Sequence, residues 1–385
     1  MRLLTLPLIL LAGWAPAQQK VTEIPFELVG EYIMVPVTIQ DTRLSFVFDT
    51  GATSTVLDST TAVALKITPQ NQTTAQGASG SSNYQLSTIA SVNIHDVELK
   101  NLTAIHVSLL SLSRSLGSKI DGIIGNDVLL NRVTEINYDT RMIRLLKSVD
   151  ESSISSPRKL PFTFVNFIPI PAIDLSFTLT NGKQFSEKFL VDTGAGLTMI
   201  LNTPFIEQND LYHQVGKTIT STSKDLTSKT VNQKVLFQHV QIDEFIFSEV
   251  PVTLSGAKRG VNGLPGLGGI LGNEILKQFN MVLDYPNQII YLKKNQMFGM
   301  PFYYPMAGFK LESMNDQLIV SEVNEKTPAA ENGILIGCEL IQIDDYTGKD
   351  MQLIRKRLNT PGEVRLVFKN NGQLLKVNLL LKRLI

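Results

Sequence analysis

Two copies of the triplet Asp-Thr-Gly are the residues of this sequence that can do chemistry together. They begin at Asp49 and at Asp192, 143 residues apart, and each follows a short apolar run. If the two copies meet, their carboxyl groups become neighbours and share one proton, because two carboxylates in contact cannot both ionise cheaply. The ionised partner then takes a proton from a water molecule, while the protonated partner donates a hydrogen bond or its proton to the carbonyl that the water attacks. The triplets therefore predict hydrolysis by an activated water, with Asp49 and Asp192 as the catalytic residues.

The other residues of the triplets have supporting roles in this interpretation. Gly51 and Gly194 lack a Cβ atom, so the two loops can approach each other closely. Thr50 and Thr193 supply hydroxyl groups that can tie the loops together and fix the carboxylates in position. One triplet alone has a simpler explanation, a turn in which the aspartate accepts hydrogen bonds from neighbouring amides. Two triplets in matching surroundings favour the catalytic interpretation.

A second repeated segment accompanies each triplet. The stretch DGIIGNDVLL matches GGILGNEILK further along the chain, and the match aligns Asn126 with Asn273 and Tyr138 with Tyr285. Both signatures occur in the same order at almost the same spacing, which is the mark of an internal duplication. The sequence therefore predicts two copies of one lobe.

Each triplet is expected to lie just after a β-hairpin. Short alternating apolar runs flank Asp41-Thr42 in the first copy and Asn181-Gly182 in the second, and Asn-Gly between such runs is a strong hairpin signal. The IIGN and ILGN segments predict a buried strand, then an asparagine that caps one or two helical turns, at Asp127 to Leu130 and at Glu274 to Lys277. Each aspartate is therefore expected at the end of a strand, where the chain turns.

These motifs resemble those of a known enzyme family. FDTGA at Phe48, VDTGA at Val191 and the later IIGN and ILGN segments are similar to the active-site signatures of aspartic peptidases of the retropepsin and pepsin type. The resemblance implies a mainly β fold, a bilobal pair of β-barrels with pseudo-twofold symmetry. It also implies catalytic Asp49 and Asp192, interlocked Thr50 and Thr193, and an extended peptide as substrate. The disulfides of pepsins are absent from this chain.

A mobile flap over the cleft is a further expectation. The best candidate is the Gly/Ser-rich stretch Gln76 to Tyr84, with Gly77 and Gly80 at its turn and Tyr84 as a substrate contact. The alternative is an ordinary exposed loop. The corresponding stretch of the second copy, Thr218 to Thr230, is rich in Ser, Thr and Lys and is expected to be solvated surface.

The last eighty or so residues resemble a PDZ domain, a small α+β module. The resemblance rests on AGFKLE, on Thr327-Pro328 as a helix start and on an Asn-Gly hairpin near the end. It implies a groove that binds the C-terminal end of a peptide as an added strand, with Gly308 and Phe309 in the carboxylate-binding loop. The alternative is a module that packs against the rest of the chain and binds nothing.

Composition excludes several other functions. Lys plus Arg (35) balances Asp plus Glu (35), so no excess positive charge exists for a nucleic acid partner. Cys338 is the single cysteine, which excludes an intramolecular disulfide and a cysteine-based zinc cluster. The four histidines lack the spacing of metal ligands. We therefore expect no metal and no cofactor.

The N-terminus has the pattern of a signal peptide. Arg2 precedes the apolar run from Leu3 to Trp14, and Ala15-Pro16-Ala17 follows as a small-residue cleavage site. No later stretch is long enough to span a membrane. An exported chain without disulfides fits a bacterial envelope better than a eukaryotic secretory route. We expect a periplasmic or extracellular bacterial protein, with this division of the chain: signal peptide 1–17, first lobe 18–147, linker 148–159, second lobe 160–298 and PDZ domain 302–385.

Three functions compete at this point. The first is an exported aspartic endopeptidase that cleaves proteins or peptides and uses its PDZ module to bind peptide or substrate. The second is a peptide-binding or scaffolding protein that keeps the peptidase fold without turnover. The third is a hydrolase that acts only on its own chain or on one partner. Two intact triplets favour catalysis, because a site without turnover has no chemical need for both aspartates.

Overall fold

The computed structural model describes residues 22–149, 154, 156–224 and 229–385. The predicted signal peptide lies outside these residues, and so do residues 150–153 and 155 of the predicted linker. The linker was predicted to reach residue 159, but a paired strand already begins at Arg158. Strand is the dominant secondary structure of the described residues, which confirms the mainly β prediction.

The first lobe is built on one strongly curved sheet in the strand order β2-β3-β4-β9-β5-β8-β7-β6, and β3 also pairs with β7. That last pairing closes the sheet into a barrel. The elements of this lobe are β1 (Thr22–Pro25), β2 (Glu27–Val29), β3 (Tyr32–Ile39), β4 (Thr42–Phe48), β5 (Val56–Asp58), α1 (Ser59–Ala64), β6 (Asn71–Gln76), β7 (Ser81–Ile94), β8 (Val97–Val107), α2 (Leu110–Leu116), β9 (Gly122–Ile124), β10 (Val133–Asn137) and β11 (Met142–Leu146).

The second lobe repeats this topology. Its order is β13-β14-β19-β15-β18-β17-β16 with an added β13–β17 pairing, and the parallel pairs β14–β19 and β15–β18 correspond to β4–β9 and β5–β8. Its elements are β12 (Arg158–Pro161), β13 (Ala172–Leu179), β14 (Gln184–Asp192), β15 (Met199–Leu201), α3 (Thr203–Gln208), β16 (Ile219–Lys224), β17 (Lys229–Ile242), β18 (Phe245–Leu254), β19 (Gly269–Gly272), α4 (Asn273–Leu276), β20 (Phe279–Asp284) and β21 (Ile289–Lys294).

A third sheet joins the two lobes. Its order is β1-β11-β10-β20-β21-β12, so strands of the first copy and of the second copy lie side by side. The junction is the antiparallel pair β10–β20, in which Thr134 lies opposite Leu283 and Ile136 opposite Met281. This sheet fixes the two lobes relative to each other and sets the base of the cleft between them.

The predicted hairpins are present and carry the triplets as expected. In β3 the side chains of Val35, Val37 and Ile39 alternate into the core, each at most 1% exposed. The turn to β4 lies at Gln40-Asp41, one residue before the predicted position, and both residues have positive φ as a tight hairpin turn requires. Strand β4 then ends at Phe48, directly before Asp49, and β14 ends at Asp192.

The helical turns predicted after IIGN and ILGN are only partly present. Residues 126–131 form turns without a helix, whereas α4 begins at Asn273. The prediction that the asparagines cap these turns is wrong. The N-cap of α4 is Gly272, and the amide nitrogens of Asn126 and Asn273 donate instead to carbonyls of distant segments. A buried amide satisfies its hydrogen bonds wherever the fold offers partners, which local sequence cannot indicate.

The C-terminal residues form a separate α+β unit with its own antiparallel sheet in the order β22-β23-β24-β25-β26. Its elements are β22 (Phe309–Met314), β23 (Gln317–Val323), α5 (Pro328–Glu331), β24 (Glu339–Ile343), α6 (Met351–Leu358), β25 (Gly362–Asn370) and β26 (Gln373–Leu381). None of the helices in the described part of the chain has the length and apolar character needed to cross a bilayer.

Candidate active site

The two aspartates face each other at the junction of the lobes. A Cβ atom added to Gly51 would lie 2.1–2.4 Å from the carboxyl atoms of Asp192, and one added to Gly194 would lie 2.1–2.4 Å from those of Asp49. Each carboxyl group therefore lies directly on the glycine of the opposite triplet, and the two carboxyl groups are in hydrogen-bonding contact. Any side chain at either glycine would occupy the space of a carboxylate.

Backbone amides hold each carboxyl group in place. Oδ1 of Asp49 accepts hydrogen bonds from the backbone nitrogens of Gly51 (2.7 Å) and Ala52 (3.0 Å). Oδ1 of Asp192 accepts one from the nitrogen of Gly194 at 2.8 Å. Such donors stabilise the ionised form and fix the direction of the carboxylate plane.

Burial and the repulsion between two negative charges keep one of the two carboxyl groups protonated. Burial raises the pKa of Asp49, although hydrogen bonds from Asp192 and from backbone amides oppose the change. Burial and the charge of Asp49 together raise the pKa of Asp192 well above its ordinary value. The pair therefore holds one proton over a wide pH range, and the two carboxyl groups share it.

The threonines of the triplets interlock the two loops. Oγ1 of Thr50 accepts from the nitrogen of Thr193 (3.0 Å) and donates to the carbonyl of Val191 (2.9 Å). Oγ1 of Thr193 accepts from the nitrogen of Thr50 (3.1 Å) and donates to the carbonyl of Phe48 (3.1 Å). Both threonines are fully buried, so these four bonds have no competition from water.

The IIGN and ILGN glycines let a second loop pass beneath each triplet. A Cβ atom on Gly125 would lie 2.7 Å from the backbone of Ser54, and one on Gly272 would lie 2.2 Å from the carbonyl oxygen of Leu197. Each repeat therefore needs glycine here for the same reason. The backbone nitrogens that follow, of Asn126 and Asn273, donate to the carbonyls of Ala52 and Ala195 at 2.8 Å.

Tyr32 is a cleft residue that sequence reasoning missed. It begins β3, and a Cβ atom on Gly196, in the loop after the second triplet, would lie 2.9 Å from its ring and hydroxyl. Burial raises the pKa of Tyr32 to about 12, and both aspartates add to the change. No motif marks this tyrosine in the sequence, because only the packing of the lobes brings it to the dyad.

The predicted flap is a hairpin whose tip reaches the second lobe. Strands β6 and β7 pair, and the turn is closed by a hydrogen bond from the nitrogen of Gly77 to the carbonyl of Gly80 at 2.8 Å. At the tip, the carbonyl of Gly77 accepts from the nitrogen of Val261 (3.1 Å) and that of Ala78 accepts from Asn262 (2.8 Å). The hairpin thus bridges the cleft.

Tyr84, predicted as a substrate contact on the flap, lies on β7 opposite Thr73. Its ring packs on the apolar cluster that contains Met34, Val47 and Val107. The structure therefore gives its ring a place in the packing of the first lobe, and contact with substrate stays a prediction.

The corresponding hairpin of the second lobe packs on the C-terminal unit. The backbone nitrogen of Thr222 donates to Oε2 of Glu322 at 2.9 Å, and Nζ of Lys310 donates to the carbonyl of Thr222 at 2.6 Å. Ser221 is 8% exposed. The expectation of a solvated surface was therefore wrong for these residues, because partners more than eighty residues away cover them.

The predicted carboxylate-binding loop lies at the start of β22, the edge strand of its sheet. Gly308 has φ +78°, and a Cβ atom there would lie 2.4 Å from Oγ1 of Thr327. Phe309 is buried and packs edge-on against Phe368 with ring centroids 5.6 Å apart. The side chain of Phe309 belongs to the core, which leaves the backbone of this loop as the part that can meet a ligand.

Helix α2 of the first lobe packs against the C-terminal unit. It packs against β22, and Nε2 of Gln352 on α6 donates to the carbonyl of Leu116 at 3.1 Å. A Cβ atom on Gly117 would lie 2.7 Å from Cβ of Met351. Strand β22 and helix α6 are therefore both in contact with the same segment of the first lobe.

In the described residues, no cluster of His, Cys, Asp or Glu has the geometry to hold a metal ion. Cys338 is buried with a free thiol.

Comparison with known proteins bears on the first lobe above all. No curated protein sequence matches this chain. The crystal structure of an aspartic proteinase from Irpex lacteus resembles it with a TM-score of 0.45 at 14% identity, over 73% of this chain and 99% of that chain. Residues 35–128, which include the first triplet and the hairpin over the cleft, match the family model described as aspartyl protease. This match supports a peptidase as the class of enzyme.

Proposed function

We propose that this protein is an aspartic endopeptidase that hydrolyses peptide bonds with a water molecule held between Asp49 and Asp192. The observation that carries the proposal is the reciprocal contact of each carboxyl group with the glycine of the other triplet. This contact joins two acids whose pKa values are both raised by burial. A matched base and acid at one point is what water-mediated hydrolysis requires.

The reaction then follows from the protonation of the pair. Asp49 accepts a proton from the water as its oxygen attacks the carbonyl carbon, and Asp192 gives its proton to the carbonyl oxygen. The product of this step is a tetrahedral diol. Asp49 next passes its proton to the amide nitrogen, the C–N bond breaks, and a diol hydroxyl returns a proton to Asp192. The pair ends as it began, and no covalent intermediate forms.

An extended peptide is the substrate that the cleft favours. The hairpin formed by β6 and β7 reaches across to the second lobe, where residues 261 and 262 hold its tip. A peptide between the dyad and this hairpin is shielded from bulk water and can pair with strand backbone. Entry of a folded protein chain requires the tip to release first.

The C-terminal unit is proposed as a PDZ-like module for peptides or substrate. The proposed groove is the one between β22 and α6, and the contacts of α2 with both elements support the view that α2 would have to leave it. A peptide therefore binds there only after α2 moves away. Export to the periplasm or beyond is also proposed, on the evidence of the apolar run from Leu3 to Trp14.

The test is incubation of the chain without residues 1–17 with a diverse peptide library in water enriched in ¹⁸O. The proposal predicts internal cleavage, with one ¹⁸O atom in each new carboxyl terminus. Asp49→Asn is the control and should give no cleavage. If wild-type protein cleaves nothing from pH 3 to 8 while it still binds peptides, the scaffolding function is favoured. If it processes only its own chain, the third function is favoured.

A further inference from the structure

The repeated asparagines and tyrosines form two crossed pairs between the lobes. The hydroxyl of Tyr285, in the second lobe, donates to Oδ1 of Asn126 in the first at 2.7 Å. The hydroxyl of Tyr138, in the first lobe, donates to Oδ1 of Asn273 in the second at 2.6 Å. All four residues are at most 3% exposed. Each tyrosine therefore fixes the orientation of the amide in the opposite lobe.

The first pair continues to the dyad. Because its Oδ1 accepts from Tyr285, Asn126 directs Nδ2 at the carbonyl of Thr50, at 2.8 Å, and at that of Pro169, at 3.0 Å. The carbonyl of Thr50 belongs to the same peptide unit as the backbone nitrogen of Gly51. That nitrogen donates to Oδ1 of Asp49 at 2.7 Å. An unbroken chain of hydrogen bonds thus runs from the tyrosine hydroxyl to one catalytic carboxylate.

The second pair ends elsewhere. Nδ2 of Asn273 donates to the carbonyl of Glu31 at 2.6 Å, so this chain leads to the peptide unit between Glu31 and Tyr32. Tyr32 lies beside Gly196, in the loop after the second triplet. The two copies of the motif therefore differ, since one leads to the dyad and the other leads to Tyr32.

We propose that Asn126 and Tyr285 are positioning residues that set the Thr50–Gly51 peptide unit and, through it, the Asp49 carboxylate, whereas Asn273 and Tyr138 position the wall of the substrate cleft. This inference rests on the proposed function for its kinetic consequences. Hydrogen bonds in such a chain polarise one another, so loss of the first weakens the last. A weaker donor to the Asp49 carboxylate favours its protonated form.

The surroundings of Asp49 make this effect measurable. The titratable groups that face it are Asp192 across the dyad, Tyr32 on β3 and Tyr285 itself. The tyrosines stay neutral in the acid range, since burial raises the pKa of each. A change in the acid limb of activity therefore reports on the dyad and on no other group nearby.

The experiment compares Tyr285→Phe with its matched control Tyr138→Phe. Each variant removes one buried hydroxyl and leaves one asparagine oxygen without its donor, so a purely structural loss would be equal in both. For Tyr285→Phe we expect kcat to fall about tenfold with KM within about twofold, and the acid limb to move up by about half a pH unit. For Tyr138→Phe we expect an increase in KM and no movement of the acid limb.

A second readout does not depend on catalysis. The ¹³C resonance of the Asp49 carboxyl group, assigned by its absence in Asp49→Asn, should titrate at higher pH in Tyr285→Phe than in Tyr138→Phe. If a Tyr→Phe variant does not fold, Asn126→Ala and Asn273→Ala replace the pair, because alanine removes the donor and adds no titratable group. Equal titration of Asp49 in the two variants would overturn the inference. If the wild-type protein hydrolyses no peptide, the proposed function is wrong. The titration of Asp49 then decides the positioning role of Asn126 and Tyr285 by itself.

Discussion

Replacement of Thr50 by valine should separate the two triplet loops. Valine has nearly the shape of threonine, so the change removes the hydroxyl and little else. Two backbone groups then lose their partner, the nitrogen of Thr193 and the carbonyl of Val191. A buried polar group without a partner costs about 1–3 kcal/mol, so the two together should lower the free energy of unfolding by about 2–6 kcal/mol.

The assay is urea unfolding followed by circular dichroism, with Thr50→Ser as the control because serine keeps the hydroxyl. Thr193→Val should behave in the same way, since it leaves the nitrogen of Thr50 and the carbonyl of Phe48 unpaired. The double variant should cost less than the sum of the single ones, because the first change already loosens the shared interface. A loss below about 0.5 kcal/mol for Thr50→Val would refute the interlock as a source of stability.

Three further predictions use substitutions with matched controls. Gly260→Ala places a Cβ atom 2.4 Å from the backbone of the hairpin tip, so amide hydrogen exchange at residues 77–80 should become faster. The control is Gly266→Ala, because Gly266 has a similar φ but open space around its Cβ position. Equal exchange in the two variants would show that the second lobe does not hold the tip. Gly117→Val should separate α2 from the C-terminal unit, because the new side chain would collide with Met351, and the radius of gyration in solution scattering should increase. Gly333→Val is the control and should leave the radius unchanged, because its Cβ position is open. The same radius in both variants would contradict the packing of α2 on the C-terminal unit. Burial raises the pKa of Glu274 to about 7, so the folded state binds its proton more tightly than the unfolded state. The free energy of unfolding should therefore fall by about 3 kcal/mol as the pH rises from about 4.5 to about 7. Glu274→Gln should remove that part of the decline in urea unfolding measured across this range, and an unchanged decline would count against the burial argument.

Much of the fold was predictable from local pattern and repetition. The hairpins before each triplet follow from alternating apolar residues and turn residues, and the duplication follows from two signatures in one order. The same signals predicted that Asp49 and Asp192 come from equivalent loops. Their contact depends on the pairing of β10 with β20 in one sheet, and no local sequence pattern predicts that pairing.

The contacts that sequence did not predict all join distant segments. Tyr285 and Asn126 are 159 residues apart, and Tyr138 and Asn273 are 135 apart. The repeat aligned these residues with each other, yet it gave no sign that each asparagine would take its partner from the other lobe. The bridge from Gly77 to Val261 and the docking of Thr222 on Glu322 have the same origin, because only the assembled lobes create the neighbours.

The most direct test of the dyad is the rate of peptide cleavage by Asp49→Asn and by Asp192→Asn, measured against Asp284→Asn. Asp284 is a buried aspartate outside both triplets that accepts a hydrogen bond from the nitrogen of Asn287, so its substitution controls for the loss of a buried carboxylate. We predict that each dyad variant stays folded and loses at least about a thousandfold in kcat, while Asp284→Asn keeps activity within about tenfold. Cleavage by either dyad variant at near the wild-type rate would contradict the account.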